Sequence, residues 1–359
     1  MGSKIKSVPV ILKENQYNNV DLKNFEKENK ILNKIDIYKS QLVELFQIYN
    51  PQITDKSKYN SSLDNFLIQN NAYSYLKGNW IYFPWNGHFI HCVDQHKYFQ
   101  LLTNRNQQII SKKEQSTLEN FTVSIAGLSV GSNLAFSLMS NGISKSINIS
   151  DFDIISTSNL NRIFSGVHEI NLQKTDFTAR KLFEINPYCN VNSFQKLSTS
   201  NLKQFILGSN LIIDEIDDFT IKIELRKYAK QHKIPLLMAT SVGDRLIFDI
   251  ERFDLNPNLP ILHGLLTDDD IRIILESDLS NISQINEIVL KFVDKKNISP
   301  IVLDSLKAIN KTLIGRPQVS SSVSTATSIT AFIIREIALH KFTKSGRIVF
   351  DLQALLSSL

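Results

Sequence analysis

Residues Ser124–Ala135, SIAGLSVGSNLA, read as a strand, a tight turn and the start of a helix. Two chemistries use such a turn. As Gly-x-Ser-x-Gly it is a nucleophile elbow, which lifts Ser129 out at the turn and needs an acid and a histidine downstream. As a glycine-rich loop it places Gly127, Ser129 and Gly131 where backbone approaches a phosphate, and the helix N-terminus supplies free N–H groups and partial positive charge. The following unit separates the two. ISDFD ends a strand at Asp151, 24 residues after Gly127, where an acidic group accepts hydrogen bonds from a nucleotide ribose. A hydrolase has no use for a carboxylate there, so the turn reads as a nucleotide site.

The alternation continues downstream through helix TDFTARKLFEIN, strand VNSFQK, helix NLKQFIL, strand NLIIDEID, helix IKIELRKYAKQH and strand IPLLMAT. Strands alternating with helical patterns predict right-handed βαβ units, and hence an α/β, Rossmann-like, doubly wound and mainly parallel sheet over residues 101–359. Within it, residues 263–315 read as a polar, mainly helical insertion, and Ser320–Lys341 as a long closing helix whose small residues allow close packing. Residues 1–100 read as a smaller α+β accessory domain. Helical stretches near Asp21–Leu32 and Tyr38–Ile48 are set off by Pro51 and a polar run to Ser62. NWIYFPWNGHFIHCV (Asn79–Val93) then predicts a hairpin, with Asn86-Gly87 between two alternating segments.

The 359 residues make one large domain or two modest ones, and 42% hydrophobic with 21% charged residues excludes wholesale disorder. The whole net charge of +5 lies in residues 1–115, with 15 Lys+Arg against 10 Asp+Glu. Spread so thinly, it is no nucleic-acid footprint. The sequence has no signal core and no uninterrupted apolar run of about 18 residues, so a cytoplasmic protein without a membrane span is expected. Two cysteines without CxxC pairs suit a reducing compartment and give no structural zinc site. In HFIHCVDQH (His88–His96), His88 and Cys92 share a strand face but lie about 13 Å apart, too far to ligate one zinc ion. The acidic triplet Asp268–Asp270 opens a helix, where it suits the macrodipole.

The rim of the sheet separates the nucleotide classes. Asp151 and Asp153 are followed by STSNLNR with Asn159 and Arg162, Lys174 opens a helix ending at INP, and NLIIDEIDD carries Asp214 and Asp217 to a strand's carboxyl end. Two cations with an acid suit a triphosphate and its magnesium better than a dinucleotide. GLSVGS, DFD before SNLNR, Lys174 before INP, and IIDEIDD together resemble the adenylating superfamily of ubiquitin-activating enzymes. Its bacterial members are the ThiF/MoeB-like sulfur-carrier activators of thiamin and molybdopterin synthesis and the microcin-type peptide adenylating enzymes. The resemblance spans about residues 100–255, and TNRNQQIISKKEQ (Thr103–Gln115) is similar to the superfamily's arginine-bearing entry segment.

The resemblance implies an ATP- and magnesium-dependent enzyme in which a carboxylate attacks the α-phosphate to give an acyl-adenylate and pyrophosphate. It implies that Arg162 and Lys174 bind phosphate, that Asp217 binds magnesium, and that Asp151, Asp153 and Asn159 meet the ribose and phosphates. It also implies a homodimer in which Arg105 crosses into the neighbour's site. Lys222 falls where many members carry arginine and is left out of this set. Three departures stand out. The loop is one residue shorter than the usual glycine-rich form, with Ser129 at the second glycine's place. No cysteine follows Asp217, which argues against an enzyme thioester. Residues 1–100 match none of the sulfur-carrier activators. They resemble in arrangement the domains that hold a peptide in the microcin-type enzymes, and relatives joined to a nitroreductase-like flavoprotein. The expected partners are therefore a peptide or small-molecule carboxylate and a flavoprotein or other protein of a shared biosynthetic cluster. The rival expectations are an NAD-dependent oxidoreductase using the same loop and Asp151, and a catalytically silent nucleotide-binding partner protein.

Overall fold

In a computed structural model, which describes residues 7–276, 282–294, 298 and 300–357, the chain opens with β1 (Val10–Leu12), α1 (Asn19–Glu28), β2 (Asn33–Asp36), α2 (Tyr38–Tyr49) and α3 (Lys56–Gln69). The hairpin strands β3 (Asn79–Phe83) and β4 (His88–Cys92) and helix α4 (Gln95–Leu102) follow. α3 corrects the sequence reading, which left Pro51–Ser62 as a separator. Asp55 caps the helix by accepting the Lys58 N–H at 2.7 Å, and Leu67 gives it a buried contact. The hairpin forms as expected, Phe83 pairing with His88 and Gly87 turning at φ +69°. It lies in a four-stranded sheet of order β1-β3-β4-β2, with β2 parallel to β4. His91 is buried against Trp80, its ring stacked at 4.7 Å and bonded to Asp36 at 2.9 Å.

From α5 (Lys112–Glu119) the chain enters the larger sheet: β5 (Val123–Ala126), α6 (Gly131–Ser140), β6 (Ser146–Ser150), α7 (Lys174–Ile185), β7 (Asn190–Phe194), α8 (Leu202–Ile206), β8 (Leu211–Asp214), α9 (Phe219–His232), β9 (Leu236–Val242) and β10 (Arg245–Glu251). Helices α10 (Asp268–Glu276), α11 (Ile282–Val293), α12 (Pro300–Ala308) and α13 (Ser320–Ala338), strand β11 (Gly346–Asp351) and helix α14 (Leu352–Ser357) complete it. The order of the seven strands is β11-β10-β9-β8-β5-β6-β7. β7 to β9 in that row run parallel, as the alternation predicts, while β10 and β11 are antiparallel. Those two strands are additions to the sequence reading, and α13 is not the last element, since β11 follows it. The acidic triplet lies in the first turn of α10, where Thr267 and Asp270 exchange capping bonds.

The chain divides into two compact units. One comprises residues up to Gln115 with Ser140–Gly142 and Ala179–Cys189; the other comprises Ser116–Met139, Ile143–Thr178 and Asn190–Leu359. In the second, Ile212, Leu225, Leu236 and Phe253 pack in one core cluster, and Met238, Ile247, Ile274 and Phe292 in another. Among the described residues, no helix is long and apolar enough to cross a membrane.

Candidate functional site

The chain leaves β5 for β6 on one side and reaches β8 on the other, so the carboxyl end of β5 is the switch point where open α/β sheets bind ligands. Ala126, the last residue of β5, pairs with Ser150 and with Asp214. Gly127 follows at φ +93°, and a Cβ there would lie 2.2 Å from the Glu215 carbonyl oxygen. At Gly131 a Cβ would lie 2.6 Å from Ile125 Cγ2. Both glycines thus allow close backbone packing, and the turn between them carries Ser129 and Val130 to a cleft of about 290 Å³.

Arg162 enters this cleft from the segment after β6. Its Nε donates to Ser129 Oγ at 3.2 Å, and Nη1 donates to the Ser158 carbonyl at 3.2 Å and Asn161 Oδ1 at 3.0 Å. Asn133 on α6 fixes the backbone by donating to the Arg162 carbonyl at 2.6 Å. Burial lowers the Arg162 pKa, and the charge of Asp217 opposes that shift. Asp217 lines the same cleft with its side chain 96% exposed, 3.6 Å from Arg316 Nη1.

Asp151, Asp153 and Lys174 form a cluster of their own. Asp151 accepts the Leu128 N–H at 2.7 Å and the Asp153 N–H at 2.8 Å, which joins the cluster to the glycine turn. Lys174 Nζ is buried, 2.8 Å from Asp153 Oδ2 and 3.5 Å from Asp151 Oδ2. Burial raises the Asp151 pKa, and Lys174 holds it down only in part. Asn159 accepts the Ser156 N–H at 3.1 Å and so closes its own turn. Arg105 stands exposed on the 3₁₀ turn Asn104–Asn106, in the first unit. Of the expected residues, then, Ser129, Arg162 and Asp217 meet at the cleft; Asp151, Asp153 and Lys174 sit together; Asn159 and Arg105 line neither group.

Lys222 and Arg316 line the cleft without having been expected there. Lys222 Nζ donates to the fully buried Asp214 at 2.9 Å; Arg226 pairs with the other oxygen of Asp214 and lies 2.7 Å from Glu251. Burial raises the pKa of Asp214, but Lys222 and Arg226 outweigh it and leave the group below its ordinary value. The i, i+4 pair Lys222 and Arg226 on a face shared with Ile223 and Ala229 was the available signal. Arg316 gave none, lying 99 residues beyond Asp217. Glu215 also lines the cleft, accepts the Ala239 N–H at 3.0 Å and is pushed up to about 8 by burial. An apolar wall of Phe219, Met238, Val242 and Phe292 completes the lining.

Cys92 and Cys189 are buried, both thiols are pushed up to about 12 by burial, and neither lines the cleft. Among the described residues, no group of three or more His, Cys, Asp and Glu could hold a metal ion.

Comparison with known proteins gives these features a context. Residues 102–245 match the model of the ThiF family. The uncharacterized protein MT1398 of Mycobacterium tuberculosis (strain CDC 1551 / Oshkosh) is 33% identical over 283 residues, 78% of this chain. The chain spans only 39% of that relative's length. The tRNA threonylcarbamoyladenosine dehydratase of Bacillus subtilis (strain 168) is 27% identical over 179 residues, 47% of this chain and 70% of the relative. The crystal structure of PaaA shares the fold at a TM-score of 0.50 and 19% identity, over 72% of this chain and 78% of that one.

Proposed function

From a chain whose residues 102–245 are a ThiF-family domain, we propose an ATP- and magnesium-dependent adenylyltransferase. It activates a carboxylate, a peptide C-terminus or a small acid, as an acyl-adenylate and hands on the acyl group without an enzyme thioester. The observation that carries this is the charge of the cleft. Arg162, Lys222 and Arg316 converge there with Asp214 and Asp217, and burial pushes Glu215 up to about 8, which disfavours a further negative charge. A triphosphate and a carboxylate repel each other in water, and a preorganised positive cleft draws both in and stabilises the charge of the transition state.

In this mechanism a carboxylate oxygen attacks the α-phosphorus as the bond to pyrophosphate breaks. The turn Gly127–Gly131 and the start of α6 present N–H groups to the phosphates. Arg162 supports the pentacoordinate phosphorus, and Lys174 exchanges Asp153 for a phosphate oxygen. Asp151 receives the ribose hydroxyls, with Asp153 and Asn159 shaping that wall. Magnesium keeps several waters and takes one or two carboxylates besides phosphate oxygens. Asp217, a single exposed carboxylate in the cleft, fits that demand. When bound, the ion neutralises phosphate charge. The burial of both cysteines supports transfer without a thioester.

We place the enzyme in the cytoplasm as a homodimer in which Arg105 reaches the neighbour's site, with a flavoprotein or another protein of its biosynthetic cluster as partner. NAD-dependent hydride transfer would leave Arg162, Lys174 and Asp217 without a task. Thermal unfolding tests the choice, because a ligand that binds only the folded chain raises the Tm. Magnesium with ATP should raise it and NAD should not. Stabilisation by NAD alone would favour the oxidoreductase, and no shift with either would count against both.

A further inference from the structure

Arg316 lies outside residues 102–245 and reaches the cleft from the segment between α12 and α13. Pro317 biases the backbone before it toward an extended form. The Gln318 carbonyl accepts the Asn161 side-chain N–H at 2.8 Å. Asn161 directly precedes Arg162, so that bond ties together the two segments that carry the guanidiniums. Both guanidiniums line the cleft that Asp217 lines. Arg316 lies 3.6 Å from Asp217, and Arg162 feels the same charge while bonding to neutral oxygens of Ser129, Ser158 and Asn161.

An ion pair this long, with side chains 49% and 96% exposed, contributes little to the fold. Its placement is therefore better explained by what happens when Asp217 is taken by a cation. We propose that Arg316 is a phosphate-binding residue of this cleft, kept against Asp217 until a metal-bound polyphosphate arrives and then paired with phosphate oxygens. For its nucleotide this rests on the adenylation reading; for its oxyanion chemistry it does not. Two oxyanions are at issue, a phosphate chain and a substrate carboxylate. Asp217 decides between them, since that carboxylate would hold a magnesium ion, which would neutralise phosphate charge beside Arg316.

Calorimetric titration of the full chain with tripolyphosphate, magnesium–ATP, AMP and N-acetylglycine tests this. Arg316→Ala should weaken tripolyphosphate and magnesium–ATP by about tenfold or more, the loss of one charge-assisted pair, and leave AMP within about twofold. Arg316→Lys should restore only part of the loss, because lysine lacks the planar fork. With metal chelated, Asp217→Asn should tighten tripolyphosphate severalfold by releasing Arg316, and most of that gain should vanish in the double variant. Unchanged tripolyphosphate binding in Arg316→Ala would overturn the proposal, as would an equal loss of AMP, an effect confined to N-acetylglycine, or a gain that survives without Arg316. No tripolyphosphate binding by the wild type would overturn it too. Wild-type protein that binds tripolyphosphate through Arg316 but not magnesium–ATP would support the arginine's role and remove the adenylation reading alone.

Discussion

A methyl group on residue 127 would have to sit 2.2 Å from the Glu215 carbonyl oxygen on a backbone at φ +93°. Gly127→Ala should therefore destabilise the fold by about 1–3 kcal/mol, the usual cost of forcing such a conformation, and denaturant unfolding reads it directly. Ser129→Gly, where a half-buried hydroxyl accepts one hydrogen bond, should cost about 1 kcal/mol or less. The need for glycine at 127 was legible in the turn pattern. Its cause was assigned to a phosphate because the segment after β8 that crowds it is 88 residues away in sequence. The cysteines make a second test at this scale. Replacing both Cys92 and Cys189 with serine should leave turnover within about tenfold, or roughly 1.4 kcal/mol of barrier. In the native protein at pH 8, iodoacetamide should label them far more slowly than a free thiol, because both thiols are buried and pushed up to about 12. A captured acyl adduct on either sulfur would contradict this.

At the scale of elements, α9 is fastened to β8 and β10 by charge as well as by apolar packing. Asp214, Arg226 and Glu251 are fully buried, one on each element. Arg226→Met would take the cation from buried Glu251 and leave Asp214 with Lys222 alone, and breaking a buried pair from one side costs about 3–5 kcal/mol. The sign with pH follows from Asp214, held below its ordinary value by Lys222 and Arg226 against the effect of burial. A depressed native pKa adds stability above the unfolded pKa of about 3.9, and this is lost as pH falls through the native value. The stability lost in the variant should therefore be largest near neutral pH and shrink as pH falls and the acids protonate, as urea unfolding at several pH values can follow; a loss independent of pH would count against the network. The same acids explain what the sequence hid. The parallel strands announce themselves as apolar runs between helices, whereas β10, RLIFDIE, carries Asp249 and Glu251 at wholly buried positions. Nothing local shows that Arg347 and Arg226 neutralise them. β11 is hidden likewise, because it pairs antiparallel with β10, about 100 residues earlier in the chain.

Across the whole molecule, the order of strand ends put Arg162 and Asp217 at one rim, and that much was readable from spacing. The wall built by Phe292 and Arg316 was not, because it comes from a region with no motif of its own. Arg105 belongs to the first unit, and the part in catalysis proposed for it depends on a dimer. In a two-fold dimer the same patch of each subunit faces the other, so two inactive variants can complement each other. Mixing Arg105→Ala with Asp217→Ala should return activity to about a quarter of wild type, given random mixing and two equivalent sites. No recovery, with subunit exchange confirmed by tagged pull-down, would rule out action across the dimer. The central claim is that this cleft joins a carboxylate to the α-phosphate of ATP, a step that runs in both directions. Exchange of labelled pyrophosphate into ATP measures it most directly, with candidate peptides and small acids supplied in turn. The expected result is exchange that requires a carboxylate and magnesium and is lost in Asp217→Ala, with the Tm little changed because that side chain is 96% exposed. Exchange continuing at the wild-type rate in Asp217→Ala would contradict the account.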